Sequence, residues 1–232
     1  MSDPALRVST IWIVALLILS GAVFTLWPDV DLWVSAQFWS AEDGFWIAKI
    51  AWLQVLRYVL WKAMVVVFLV SVVAWPLSGL WRPVLWIPAR AWAFSALLFL
   101  IGPGLVVNAI LKAFWGRARP AHVTEFGGEK TFTPALQITD QCANNCSFVS
   151  GEGSGAVALA LVTLVLTAAM RGKRAARAIR WVIWPLAFVG LSMRIMMGRH
   201  FLSDSVFAAL IVAAIALILV RVTRCDTTRA GQ

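Results

Sequence analysis

Charge is scarce in this chain. Of 232 residues, 13% are Asp, Glu, Lys or Arg, whereas 61% are hydrophobic. The mean hydropathy is +0.84. A soluble domain could not hide that much apolar surface, so composition alone excludes one and implies several membrane spans. No soluble segment and no internal repeat is found. Histidine occurs twice, as His122 and His200; with the two far apart in sequence, a His-rich metal site is not expected. The first apolar run lacks a basic, cleavable layout and is expected to be a retained span rather than a signal peptide. The net charge of +9 is not a nucleic-acid signature, because much of it lies in short loops, where it sets topology.

Long apolar runs predict six spans, at about Ser9–Trp27, Trp61–Leu80, Ala91–Leu111, Gly155–Met170, Trp181–Met197 and Phe201–Val220. Pro28 stops the first, and Gly102-Pro103-Gly104 is expected to break the third. Residues Phe45–Leu60 mix Trp46, Trp52 and Tyr58 with Lys49, Gln54 and Arg57, a pattern that predicts an amphipathic helix lying in the interface. The whole chain, 1–232, is expected to be one integral-membrane, all-α domain.

An even span count puts both termini on one side. That side then collects Arg7, Arg82, Arg90, the cluster within 171–180 and the tail arginines, eleven positive charges in all. The positive-inside rule makes it cytoplasmic. The opposite face receives the acidic Asp29–Gly44 segment, the long polar segment Lys112–Ser150 and the junction between the last two spans.

Three stretches on that outer face carry chemistry. In Met193–Asp204, Arg194, His200 and Asp204 sit between two apolar runs, a costly place for charge. His200 and Asp204 are four apart, so on a helix they share a face, and a carboxylate on one ring nitrogen frees the other as nucleophile, base or ligand. Gly198 predicts a helix end or bend. In Lys112–Pro120, three cations (Lys112, Arg117, Arg119) close a span; such a cluster clamps a phosphate or binds anionic headgroups. At Ser150-Gly151-Glu152, small residues open an apolar helix. Its free N–H groups form an anion site, or Ser150 is simply an N-cap.

Taken together, Lys112-x6-Arg119-Pro120, Ser150-Gly151-Glu152 and Arg194-x5-His200-x3-Asp204 resemble the three-part signature of the PAP2 (type 2 phosphatidic acid phosphatase) superfamily over about residues 95–215. The resemblance implies a PAP2-like helical bundle and a phosphohistidine mechanism. Lys112, Arg119 and Arg194 would bind phosphate oxygens, with hydrogen bonds from Ser150 and the Gly151 backbone. His200 would attack phosphorus and Asp204 would orient its ring. The three cations would stand in for a metal, so no metal or cofactor is implied. The family's second motif usually reads Pro-Ser-Gly-His. Here Val149 and Glu152 replace the Pro and the His, which makes Glu152 the candidate general acid and His122 an alternative. Arg117 and Arg199 are extra cations, for a second phosphate, a headgroup or anionic lipid. Cys142 and Cys146 form a disulfide or stay as two thiols.

The expected partner is a lipid phosphate in the bilayer of a bacterial inner membrane, reached from the periplasm. Lipid A phosphate (1- or 4′-position) is the leading substrate. Undecaprenyl pyrophosphate, phosphatidylglycerophosphate and phosphatidic acid are alternatives. A lipid phosphotransferase, an inactive lipid-binding relative and a small transporter are the competing functions. The placement of charge at span ends, not midway, counts against transport. Oligomeric state is not legible.

Overall fold

The structure, a computed structural model, describes residues 4–168 and 173–225. The far end of the fourth predicted span (Met170), Arg171 of the basic cluster and Arg229 of the tail lie outside them.

Apolar sequence becomes helix because, away from water, a backbone must bond to itself. Six helices are long and apolar enough to cross a membrane. We label the helices α1 (Pro4–Leu26), α2 (Asp29–Ala36), α3 (Ala51–Leu80), α4 (Ala89–Phe114), α5 (Gly151–Ala168), α6 (Lys173–Met196) and α7 (Leu202–Thr223). Helix α2 is too short to span. The protein is therefore an all-α polytopic membrane protein.

Two expectations are corrected. The interfacial helix at Phe45–Leu60 does not exist as a separate element. Trp46–Lys49 is a 3-10 turn, and residues from Ala51 run without a break into α3. The polar residues that made the stretch look amphipathic point elsewhere: Gln54 and Arg57 line an internal cavity, and Lys49 pairs with Asp43. The glycines and proline of the third span do not break it either. From Leu100 to Leu111 the helix widens into π-helix and continues. Pro103 lacks an N–H and would clash in an α-helical turn, and the wider turn accommodates it. The Asn108 side-chain amide donates to the Pro103 carbonyl at 2.6 Å.

Close packing sets the bundle. Helices α5 and α6 share the most extensive contact. A Cβ on Gly155 would meet the Met64 sulfur at 2.6 Å, and one on Gly190 would meet Ala156 at 3.1 Å. These small residues draw α3, α5 and α6 together around a core that includes Leu98, Ala158, Ala160, Val162 and Val212. Arg221 donates to Thr10 Oγ1 at 2.8 Å, which joins the start of α1 to the end of α7. Both described ends of the chain thus lie at one end of the bundle. At the other end the long 115–150 segment folds back over the helix mouths: the Thr139, Cys146 and Ser147 N–H groups bond to the carbonyls of Trp115, Lys112 and Arg117.

Candidate active site

The helix carrying Arg194 ends two residues beyond it, at Met196. Gly198 then adopts φ +63°, and a Cβ there would lie 2.3 Å from the Phe45 ring, so no other residue fits. The Arg194 carbonyl accepts the N–H groups of both Arg199 and His200, at 3.0 and 3.1 Å. That turn brings His200 back beside Arg194, which an unbroken helix would have pointed elsewhere.

One cavity of about 600 Å³ gathers the predicted residues: Lys112, Arg119, Gly151, Glu152, Arg194, Arg199 and His200 all line it. Stretches remote in the chain therefore converge, as expected. One wall is apolar, built from Trp61, Met64, Val65, Phe68, Phe99 and Leu100. Five cations line the cavity (Arg57, Lys112, Arg119, Arg194 and Arg199) against the single carboxylate of Glu152. Lys112 and Arg194 are buried, and the Nε of Arg194 has no hydrogen-bond partner. A buried unpaired guanidinium N–H calls for an acceptor.

His200 is 1% exposed. Its Nδ1 lies 2.7 Å from the Ser147 carbonyl. A carbonyl only accepts, so Nδ1 carries the proton and Nε2 keeps its lone pair. Burial pushes the ring's pKa down to about 4; the Asp204 carboxylate opposes the shift and Lys112 and Arg194 assist it. The imidazole is neutral at pH 7.

Asp204 lies beside the ring, while the closest partner of Nδ1 is the Ser147 carbonyl. His200 precedes α7, whose first helical residue is Leu202. The i,i+4 relation therefore does not stack the two side chains, and Nδ1 and Asp204 Oδ2 are 3.8 Å apart. Asp204 instead accepts the Phe201 N–H at 2.8 Å and the Ser147 hydroxyl. It reaches His200 directly, as a neighbouring charge, and through Ser147, whose hydroxyl it accepts and whose carbonyl holds Nδ1.

Arg117 does not line the cavity. It is fully buried and open to no ligand. Its Nη1 donates to Asp204 Oδ1 at 2.7 Å, its Nη2 to Asp31 Oδ2 at 2.8 Å and its Nε to the Thr133 carbonyl at 2.9 Å. The guanidinium lies over Phe201, 4.3 Å from the ring centre. Asp31, from α2, also accepts the Ser203 N–H at 2.8 Å. Burial raises the Asp31 carboxyl above its ordinary range, against the pull of Arg117.

The remaining predicted residues divide. Ser150 caps its helix, accepting the Gly153 N–H at 3.1 Å, and does not line the cavity, whereas Gly151 does. His122 is exposed and does not line the cavity. Its pKa is lowered by burial and by Arg119, Arg199 and Lys130. Arg119 is lowered by burial and then by Arg199. Cys142 and Cys146 are joined in a disulfide. Their loop presents Asn145, whose Oδ1 accepts from Lys112 at 2.8 Å and whose carbonyl accepts from Arg119 at 2.6 Å. Glu152 pairs with two arginines: Arg57 at 2.9 Å and Arg194 at 3.6 Å. Sequence reasoning missed Asp31, Arg57, Asn145 and Ser147. Arg57 and Asp31 were visible only as polar residues near span ends, and nothing marked Asn145 or Ser147. Among the described residues no cluster of His, Cys, Asp and Glu could hold a metal ion.

Residues 91–226 match the PAP2 superfamily. The lipid A 4′-phosphatase of Francisella tularensis subsp. novicida (strain U112) is 33% identical over 200 residues, covering 82% of this chain and 84% of the relative. That of Rhizobium leguminosarum is 33% identical over 220 residues, covering 85% and 90%. A third, from Rhizobium etli, is 31% identical over 202 residues, covering 79% and 75%. No solved structure matches. With its motif-bearing half matched and its relatives aligned along most of their length, the chain belongs to the PAP2 superfamily and is a membrane-spanning phosphatase.

Proposed function

We propose that the protein removes the 4′-phosphate of lipid A, through a phosphohistidine on His200, at the periplasmic face of a bacterial inner membrane. The observation that carries this reading is the state of His200. It is a neutral imidazole whose Nδ1 proton is committed to Ser147 and whose Nε2 is free, in a cavity with Lys112, Arg119 and Arg194. Such a nitrogen is a nucleophile, and three cations around it neutralise a phosphoryl group in transfer.

In this mechanism Nε2 attacks phosphorus in line and the bond to the sugar oxygen breaks. Glu152, paired with two guanidiniums, lines the cavity as the proton carrier. It receives the proton carried by a phosphate monoanion, whose second pKa is about 6, and delivers it to the departing oxygen. A water then attacks the phosphorus of the phosphohistidine and Glu152 takes its proton. Glu152 passes that proton to the departing inorganic phosphate, and His200 returns to its neutral form. The Gly151 N–H, at the start of α5, adds a donor to the phosphate. Every step is carried by side chains of this protein, and the reading includes no metal or cofactor.

The substrate assignment rests on the relatives' names together with the cavity, whose charged end suits a phosphate and whose apolar wall suits a lipid. The sidedness rests on the charge distribution and on a disulfide at the site mouth, a bond that persists in oxidising compartments. Both termini are then cytoplasmic. The test is phosphate release from lipid A by the purified protein in EDTA, against a panel of other lipid phosphates, with rapid quench of 32P-labelled substrate to trap an acid-labile phosphoenzyme. Selective release from the 4′-position and a labelled intermediate absent from His200→Ala are expected. Full turnover by His200→Ala would reject the mechanism. Equal turnover of every lipid phosphate would reject the substrate.

A further inference from the structure

Arg57 comes from α3, outside the stretch that matches the family. It nevertheless reaches the cavity and makes the closer contact with Glu152. Its Nη1 is 2.9 Å from Oε1, whereas the Arg194 Nη1 is 3.6 Å from Oε2. The carboxylate hangs between a residue of the phosphate clamp and a residue that is not. Both arginines also have a buried Nε with no partner.

Consider the carboxylate without Arg57. It is tethered beside Arg194, a buried guanidinium with unmet hydrogen-bonding capacity, and it carries the same charge sign as a phosphate. A tethered competitor acts at a high effective concentration. Glu152 would close onto Arg194 and occupy a donor that the substrate phosphate needs. With Arg57 present, a second guanidinium draws the carboxylate 0.7 Å closer to itself than to Arg194.

We infer that Arg57 is a positioning residue that holds the Glu152 carboxylate off Arg194 and so keeps the phosphate pocket open. It acts through Glu152 and is not itself a phosphate ligand. The fold supplies the proximity: the Gly155, Ala156 and Gly190 contacts bring α3 against α5 and α6 at this level. The inference rests on the reading of Lys112, Arg119 and Arg194 as the phosphate clamp.

The test is a double-mutant cycle read by binding, not by turnover. Inorganic phosphate is titrated calorimetrically into the detergent-solubilised full-length protein and into Arg57→Gln, Glu152→Gln and the double variant. Arg57→Gln is expected to weaken phosphate binding about tenfold, the size of one lost charge-assisted contact. The same substitution made on top of Glu152→Gln is expected to change it less than about twofold, because the competitor is gone. Two results overturn the inference: equal weakening in both backgrounds, which would make Arg57 a direct phosphate ligand, or no weakening in either. Should Arg57→Gln not fold, the cycle is run with Arg57→Lys, for which about threefold is expected, again only while Glu152 is present. A protein that binds phosphate in the expected pattern but releases none from lipid A loses the functional reading and keeps this one. One that binds no phosphate loses both.

Discussion

Arg117→Met is the substitution whose cost follows most directly from the structure. Methionine nearly preserves the length of the side chain and removes its charge. What remains is a pair of carboxylates, Asp31 and Asp204, at 1% and 0% exposure with their shared cation gone. Removing one partner of a buried ion pair costs about 3–5 kcal/mol, because the other charge stays buried and unpaired. Here two are stranded. Each keeps other donors, the Ser203 N–H for Asp31 and the Phe201 N–H and Ser147 hydroxyl for Asp204, so the middle of that range is expected. At about 2–4 °C per kcal/mol for a chain of this size, the midpoint of thermal unfolding should fall by about 10 °C. The fourteen tryptophans make intrinsic fluorescence in detergent a suitable probe. Asp31→Asn on the Arg117→Met background should recover part of the loss, since one stranded charge is removed. Arg57→Gln, at a partly exposed pair, should cost less than about 1 kcal/mol. If Arg117→Met unfolds within 2 °C of the parent, or no lower than Arg57→Gln, the buried network is not what holds α2 and α7 together and the reasoning fails.

Four further outcomes follow from the site. With two histidines in the chain, 15N-histidine spectra can be assigned by His122→Asn. His200 should stay neutral and protonated on Nδ1 down to pH 5.5, and a midpoint at or above 6.5 would contradict its burial. Because its folded pKa, about 4, lies below the ordinary 6.5, the unfolded chain binds the proton more readily. About 3 kcal/mol of stability should therefore be lost as pH falls from 6.5 through 4, read as a falling unfolding midpoint that is shallower in His200→Gln. Reducing the Cys142–Cys146 bond loosens the loop that holds Asn145 against Lys112 and Arg119. KM should rise by about threefold to tenfold with a smaller change in kcat, as expected when a contact made equally in ground and transition states is lost. His122→Asn should leave kcat/KM within about twofold, as expected of an exposed side chain outside the cavity; a large loss would return His122 to the mechanism.

Much of this was legible in the sequence because it is local. Six apolar runs became six long helices, since a membrane leaves a chain little alternative. Gly198 signalled a helix end because a turn there needs positive φ. Lys112, Arg119, Gly151, Glu152, Arg194 and His200 could be named because they stand at fixed spacings beside span ends. Where the sequence misled, the pattern was local but its cause was not. Arg57 and Gln54 gave α3 a polar edge that pointed to a headgroup layer, yet they line a cavity among the helices. Asp204, four residues from His200, suggested a shared helical face, but the helix begins between them.

The residues that sequence reasoning missed share one property: each takes its role from a partner far along the chain. Asp31 looked like one more acid of a polar segment until Arg117, 86 residues on, paired with it. Ser147 became the link between Asp204 and His200 only when the 115–150 segment folded over the helix mouths. The buried Asp31–Arg117–Asp204–Ser147–His200 chain carries no exposed charge, so salt should hardly touch it. The cations that face substrate, among them the buried Lys112 and Arg194, line a cavity that salt anions can enter. The protein thus separates two electrostatic tasks. One set of charges is sealed away to fix a single imidazole in one tautomer, and a second set is left open to meet a phosphate. Raising ionic strength should accordingly weaken substrate binding while leaving the His200 tautomer unchanged, and a tautomer that shifted with salt would show that the two sets are not separate.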